Sequence, residues 1–354
     1  MVLQGFLDAM AGFLEQEGNG GDGGAAGLVA RVLGLGADVG VGADGIGLGL
    51  IELGLRARDK QDYPRAEQLF ALAGETAADT EDAALWVRAR TLLGGLYRIQ
   101  GRYDQAEKAL RRALAVADDE PDIPVAALTG TCNELGILFK YTGKFDEAET
   151  FYRRALDLLE EAGIGEGLSA ASLFHNLSGL AHSRRDFAAA AEPGRRAVAI
   201  RERVLGPEHV QVALDKAALA PVLIELDELD EADELLTSAL AVIEKTYGPE
   251  HYETGVALGN LAALAYKRAQ YSRAEELFHR CLRLKEQTLG LGHPELAVTL
   301  NNLAVFARRG GDFFHARELW ERASAILETS VQQAHPLLRT VRRHLNSLES
   351  EVPA

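Results

Sequence analysis

Residues 289–319 read LGLGHPELAVTLNNLAVFARRGGDFFHAREL. In this stretch Leu303 is followed by the small Ala304, a glycine turn lies at Gly310 and Gly311, and Phe313 precedes Ala316 by three residues. Stepping back 42 residues at a time finds the same anchor at Ala274, Ala232, Ala190, Ala148 and Ala106. Three residues before each anchor stands a large apolar side chain: Tyr271, Leu229, Phe187, Phe145 and Tyr103. Thirteen before it stands leucine, at 261, 219, 177, 135 and 93, and the next residue is always small: Ala262, Ala220, Ser178, Gly136, Gly94. A degenerate copy lies upstream at Leu53, Tyr63 and Ala66, offset by 40 residues. A fixed period of this size is the signature of stacked structural repeats.

Each period reads as two helices. The first ends before a turn such as Gln100-Gly101-Arg102, where glycine suits the left-handed conformation that closes a helix. The second starts near the aromatic slot and carries apolar residues four beyond the anchor, at Leu110, Tyr152, Leu236, Phe278 and Trp320; Trp320 is therefore read as core. Gly194 interrupts that series directly after Pro193, so this second helix is expected to start late or to kink. Between periods, Gly206-Pro-Glu-His209, Gly248-Pro-Glu-His251 and Gly290-Leu-Gly-His293 recur. Successive histidines stand a repeat apart, at about 10 Å or more by helix packing distances. That is too far to share a metal ion, and a capping role between repeats fits better.

A 354-residue chain would ordinarily suggest two or three domains, but a repeat array grows in one dimension and escapes that count. The expected organisation is residues 1–46 as an amphipathic helix plus a glycine-rich segment, 47–334 as the helical array, and 335–354 as a capping helix and tail. In residues 1–16 the apolar Val2, Leu3, Phe6, Leu7, Met10, Phe13 and Leu14 share one helical face. That face could cap the first repeat or mediate a homodimer. Gly40 to Gly45 matches G-x-G-x-x-G, but a dinucleotide site needs a βαβ context and the remaining chain reads as helices only.

The formal net charge of -16 argues against a nucleic-acid partner, since such proteins show a basic face. Two distant cysteines, Cys132 and Cys281, form no disulfide framework or zinc spacing and fit a reducing cytoplasm. No secretory signal and no membrane span are expected. Neither nucleophile-elbow, zinc-protease nor kinase-type signatures occur, so no enzyme activity and no cofactor are expected.

A small residue after leucine, alanine at the turn and an aromatic before it together resemble the tetratricopeptide repeat. The 42-residue unit with Leu-Gly-x-x-His-Pro between helix pairs, here Leu289 to Pro294, is similar to the kinesin light chain subclass. The resemblance implies an all-α fold: a right-handed superhelical solenoid of about seven antiparallel helix pairs with a C-terminal capping helix. In that family the first helices of successive pairs line a concave groove for an extended peptide, and asparagine just before the slot leucine clamps the peptide backbone. Here that slot reads Glu134, Asn176, Ala218, Asn260 and Asn302. A carboxamide both donates and accepts, as a peptide unit does; a local bond to the neighbouring helix is the competing reading.

Helical arithmetic completes the candidate groove: Asn133, Lys140, His175, Asn176, His182, Asn260, Tyr266, Lys267, Asn301, Asn302, Arg308 and Arg309, with Arg88, Arg98 and Tyr141 on the same stripe. Its acids are Glu134 and Glu225. A basic lining in an acidic protein suggests a ligand with acidic side chains or a free carboxylate; cations solvating a helix face is the plainer alternative. The expected function is thus a non-enzymatic scaffold binding a protein or peptide partner. A regulator whose N-terminal segment occupies the groove, and a catalytic solenoid with a small-molecule pocket near His175 and His182, are the alternatives.

Overall fold

The computed structural model describes residues 43–330 and 336–349. The expected N-terminal helix at 1–16 and most of the glycine-rich segment lie outside the described residues. Fifteen α-helices make up the described chain, with no strand among the described residues. They follow one another as pairs: α1 (Ala43–Asp59) with α2 (Tyr63–Asp79), α3 (Ala83–Ile99) with α4 (Tyr103–Asp119), and α5 (Val125–Tyr141) with α6 (Phe145–Glu161). Next come α7 (Leu168–Ser183) with α8 (Phe187–Leu205), α9 (Val210–Glu225) with α10 (Leu229–Tyr247), and α11 (Tyr252–Lys267) with α12 (Tyr271–Leu289). The last pair is α13 (Leu296–Arg309) with α14 (Phe313–Ser330), and α15 (Pro336–Glu349) ends the array. Seven pairs and a final helix match the expected architecture. The first helix begins at Ala43, a few residues before the expected start at 47.

The chain forms two compact units, residues 1–176 and 177–354, the division falling within α7. In the first unit, Leu50, Leu53, Phe70, Leu85, Leu93 and Leu96 build one core. In the second, Leu219, Leu223, Leu236 and Leu261 form one cluster, and Leu300, Leu303, Trp320, Leu338 and Val341 form another. Trp320 is fully buried, as its slot predicts.

The small residue after each slot leucine exists because a large side chain of the second helix lies against it. A Cβ on Gly136 would come within 2.4 Å of the Tyr152 ring. The α7–α8 pair reverses the sizes, with Ser178 on the first helix and Gly194 on the second. Leu219 from the following helix fills the space, its Cδ1 lying 2.6 Å from where a Cβ on Gly194 would stand. That exchange explains the break in the apolar series. The helix itself does not start late: α8 begins at Phe187 on register and runs to Leu205 through Pro193.

The repeated Gly-to-His connections are cap structures. Gly206, Gly248 and Gly290 take φ of 86°, 92° and 84°, values that only glycine adopts without strain. His209 Nδ1 accepts from Gln211 N–H and His251 Nδ1 from Glu253 N–H, each at 3.2 Å. His293 Nδ1 accepts from Glu295 N–H at 3.3 Å. The imidazoles of His209 and His251 each satisfy a backbone donor that the first turn of a helix leaves open, and that of His293 bonds the residue just before α13.

Candidate functional site

In the second unit, successive first helices α9, α11 and α13 enclose a recess of about 320 Å³. Ile224 and Glu225 come from α9, Ala263, Tyr266 and Lys267 from α11, and Asn302, Val305 and Phe306 from α13; Phe278 of α12 closes the floor. The walls are set by aromatic packing: Tyr266 meets Phe306 edge-on at 5.4 Å and Tyr271 edge-on at 5.7 Å. Arg309 lies with its guanidinium carbon 3.4 Å from the Tyr271 ring centre. Tyr266, Lys267 and Asn302 of the candidate set thus converge.

The asparagines divide by the partners they find. Asn260 Nδ2 donates to the Ala217 carbonyl at 2.9 Å, a bond between neighbouring first helices. Trp320 Nε1 donates to Asn301 Oδ1 at 3.1 Å, and Asn301 Nδ2 reaches Asn302 Oδ1 at 3.5 Å. Because indole is a donor only, this chain assigns the oxygens and leaves Asn302 Nδ2 as an amide donor with no partner among the described residues. Arg308 is half-buried, and after burial itself its charge is the next cause that disfavours the His344 imidazolium.

In the first unit, Asn176 Nδ2 donates to Asn133 Oδ1 at 2.7 Å. Asn133 also lines a small polar recess of about 200 Å³ with Thr129, Ser169 and Ser172. Burial holds the Lys140 ammonium below its ordinary value, so this cation is incompletely hydrated. Arg98 does not add to a basic lining: it pairs with Glu134 at 3.1 Å. His175 is half-buried on α7. In the second unit, the exposed His182 packs edge-on to Phe187 at 5.6 Å. Neither histidine lines either recess.

Burial pushes the Cys132 thiol up to about 11 and raises Cys281 as well. Such thiols are the opposite of activated nucleophiles. Among the described residues no group of three or more His, Cys, Asp or Glu side chains could hold a metal ion. No described helix is long and apolar enough to cross a membrane.

Reasoning on the sequence missed Ile224, Ala263, Phe278, Val305 and Phe306 as walls of the recess. The period carried a signal for two of them: Ala263 and Val305 occupy one slot in successive first helices, so the turn facing the recess could have been read as one row.

The tetratricopeptide repeat model matches residues 89–124, 126–203, 213–287 and 254–329. These stretches cover more than half of the chain, and the chain belongs to the tetratricopeptide repeat family. The same fold is seen in PH0952 of Pyrococcus horikoshii, a signal transduction ATPase with a tetratricopeptide repeat sensor. That similarity has a TM-score of 0.60 at 14% identity and covers 92% of this chain and 48% of that chain. NprR, solved in complex with its cognate peptide NprX, has a TM-score of 0.58 at 15% identity over 86% of this chain and 83% of that one. The kinesin light chain TPR-like repeats of Podosopora anserina are 24% identical over 56% of this chain and 94% of that chain, with a TM-score of 0.47. No curated protein matches the chain.

Proposed function

We propose that this protein is a non-enzymatic scaffold that binds a peptide segment of a partner protein on its first-helix face, with a preference for acidic or carboxylate-bearing ligands. The observation that carries this reading is the recess around Tyr266, Lys267 and Asn302, in which an apolar floor, a cation and an amide donor converge. Peptide sites combine apolar burial with a few placed polar groups in this way. Glu225, Lys267 and Arg309 occupy one slot on α9, α11 and α13. A ligand carboxylate therefore belongs on the Lys267 and Arg309 side, away from Glu225. NprR, of the same fold, is known with a peptide bound, which lends the reading support.

The test is affinity capture of partners with the wild type beside an Asn302→Ala/Lys267→Gln variant of unchanged melting temperature. Asn260 is left intact in this variant because its amide ties two helices together. Loss of the captured partners from the variant is expected. Retention of the same partners at the same salt concentration would refute this site.

A further inference from the structure

Arg98 of α3 and Glu134 of α5 form an ion pair on the first-helix face of the first unit. Glu134 occupies the slot held by Asn176, Asn260 and Asn302 in other repeats. We propose that Arg98 is the centre of a carboxylate-binding site which Glu134 fills in the free protein, and that an acidic side chain or carboxyl terminus of a partner displaces it. The proposal rests on the reading that this chain takes carboxylate-bearing ligands, and adds a second, self-occupied position for them.

The geometry of the internal pair is that of a poor occupant. Arg98 Nε and Nη2 both donate to the same oxygen, Glu134 Oε2, at 3.2 and 3.1 Å. Oε1 has no partner among the described residues, so the pair forgoes the parallel two-bond arrangement in which guanidinium and carboxylate interact most strongly. A carboxylate arriving on a separate chain is free to align both oxygens. Room for it exists because Gly95 stands opposite: a Cβ there would lie 3.1 Å from Glu134 Oε2.

Two further groups point to the same place. Tyr152 is completely buried, and its hydroxyl has no hydrogen-bond partner among the described residues. Burial first, then the neighbouring Glu134 charge, raises its pKa, with Arg98 opposing and Tyr141 adding to the rise. A buried donor left without an acceptor is unusual in a folded protein. Tyr141, 65% exposed, spreads its ring 5.6 Å from the Arg98 guanidinium carbon. The Arg98 and Glu134 side chains are 15% and 25% exposed: shielded enough to strengthen an ion pair, open enough for exchange.

The probe is a dye-labelled, end-blocked decapeptide of alternating glycine and glutamate, titrated by anisotropy at low salt. Glu134→Asn restores the residue of the other repeats, and Glu134→Gln is the second variant should the first not fold. Either is expected to bind the probe about tenfold more tightly than the wild type. Adding Arg98→Gln should abolish the gain. Glu147→Gln removes an exposed charge from α6 and should produce no gain. An unchanged affinity in both Glu134 variants, or an equal gain in Glu147→Gln, would overturn the proposal. Lys267→Gln in the wild-type background reads the other site separately. Loss of wild-type probe binding there, without a gain at Glu134, would refute the Arg98 site alone.

Discussion

Lys216 Nζ lies 2.6 Å from Glu202 Oε1, on a side chain only 11% exposed. Its slot is apolar in the next two repeats, where Leu258 and Leu300 are buried. The reason lies on the second helices. Arg280 pairs with Glu244 at 2.9 Å and Arg322 with Glu286 at 2.6 Å, each pair linking successive second helices across 36 residues. Arg154 meets Asp118 in the same register in the first unit. Counting 36 residues on from Glu202 gives Ser238, which cannot supply the cation. Lys216 neutralises Glu202 instead.

If so, Lys216 and Ser238 are energetically coupled. Lys216→Leu should cost no more than about 1 kcal/mol, because Glu202 keeps access to water. Ser238→Arg should stabilise that variant, yet do little in the wild type, where Glu202 is already paired. Urea unfolding of the four proteins is expected to give a coupling of about 0.5 kcal/mol or more. Strict additivity would show that Ser238 is not the missing rung.

Size complementarity between paired helices makes a second prediction. Gly136→Ala drives a methyl into the buried Tyr152 ring and should destabilise by about 1–3 kcal/mol. Ala220 and Leu236 occupy the same two slots two repeats later, with both fully buried. In a Tyr152→Leu background the alanine should therefore cost much less. An equal cost in both backgrounds, measured by thermal unfolding, would count against the paired-slot account.

The register was legible in the sequence because each slot has one steric task repeated at a fixed interval. Leu135, Gly136 and Ala148 announce a helix pair whatever surrounds them. Helical arithmetic also put Tyr266, Lys267 and Asn302 on one face. It could not say which polar groups are consumed by neighbours. Asn260 is turned to the Ala217 carbonyl, and Arg98 to Glu134; both partnerships span 36 or more residues and depend on rotamers and interhelical distance. Asp215 and Lys216 carry charge where the next repeat has Ala257 and Leu258, but their partners Arg201 and Glu202 are brought opposite them by packing between helices, which no spacing fixes.

Backbone conformation at the turns within pairs gives a third prediction. The left-handed turn residue is glycine at Gly101, Gly143 and Gly311, but Ala269 adopts φ of 57° in the same slot. A side chain in that region costs roughly 1–2 kcal/mol, part of which glycine returns through greater freedom in the unfolded chain. Ala269→Gly should stabilise by about 0.5–1 kcal/mol, and Gly143→Ala should destabilise by a similar amount. A fall in melting temperature on Ala269→Gly would contradict the strain.

The attachment of α15 should depend on pH through His344. This imidazole packs against Trp320 with ring centres 4.9 Å apart, and its Nδ1 is buried without a partner among the described residues. Burial first, then the charges of Arg308 and Arg343, hold its pKa below the ordinary value. A histidine lowered in the folded state is neutral there, while the unfolded chain takes up a proton near pH 6.5. Its contribution is thus intact above about pH 6.5 and declines as the pH falls below that value. The Glu328 carboxylate that accepts from Arg342 Nη2 at 2.8 Å has its pKa lowered by that bond. It stays charged through this window, so the loss belongs to the imidazole. In a Trp86→Phe background, where Trp320 is the remaining indole, the stability read from its fluorescence should fall between about pH 6.5 and 5. His344→Leu should flatten that profile; an unchanged pH dependence would place the titrating group elsewhere.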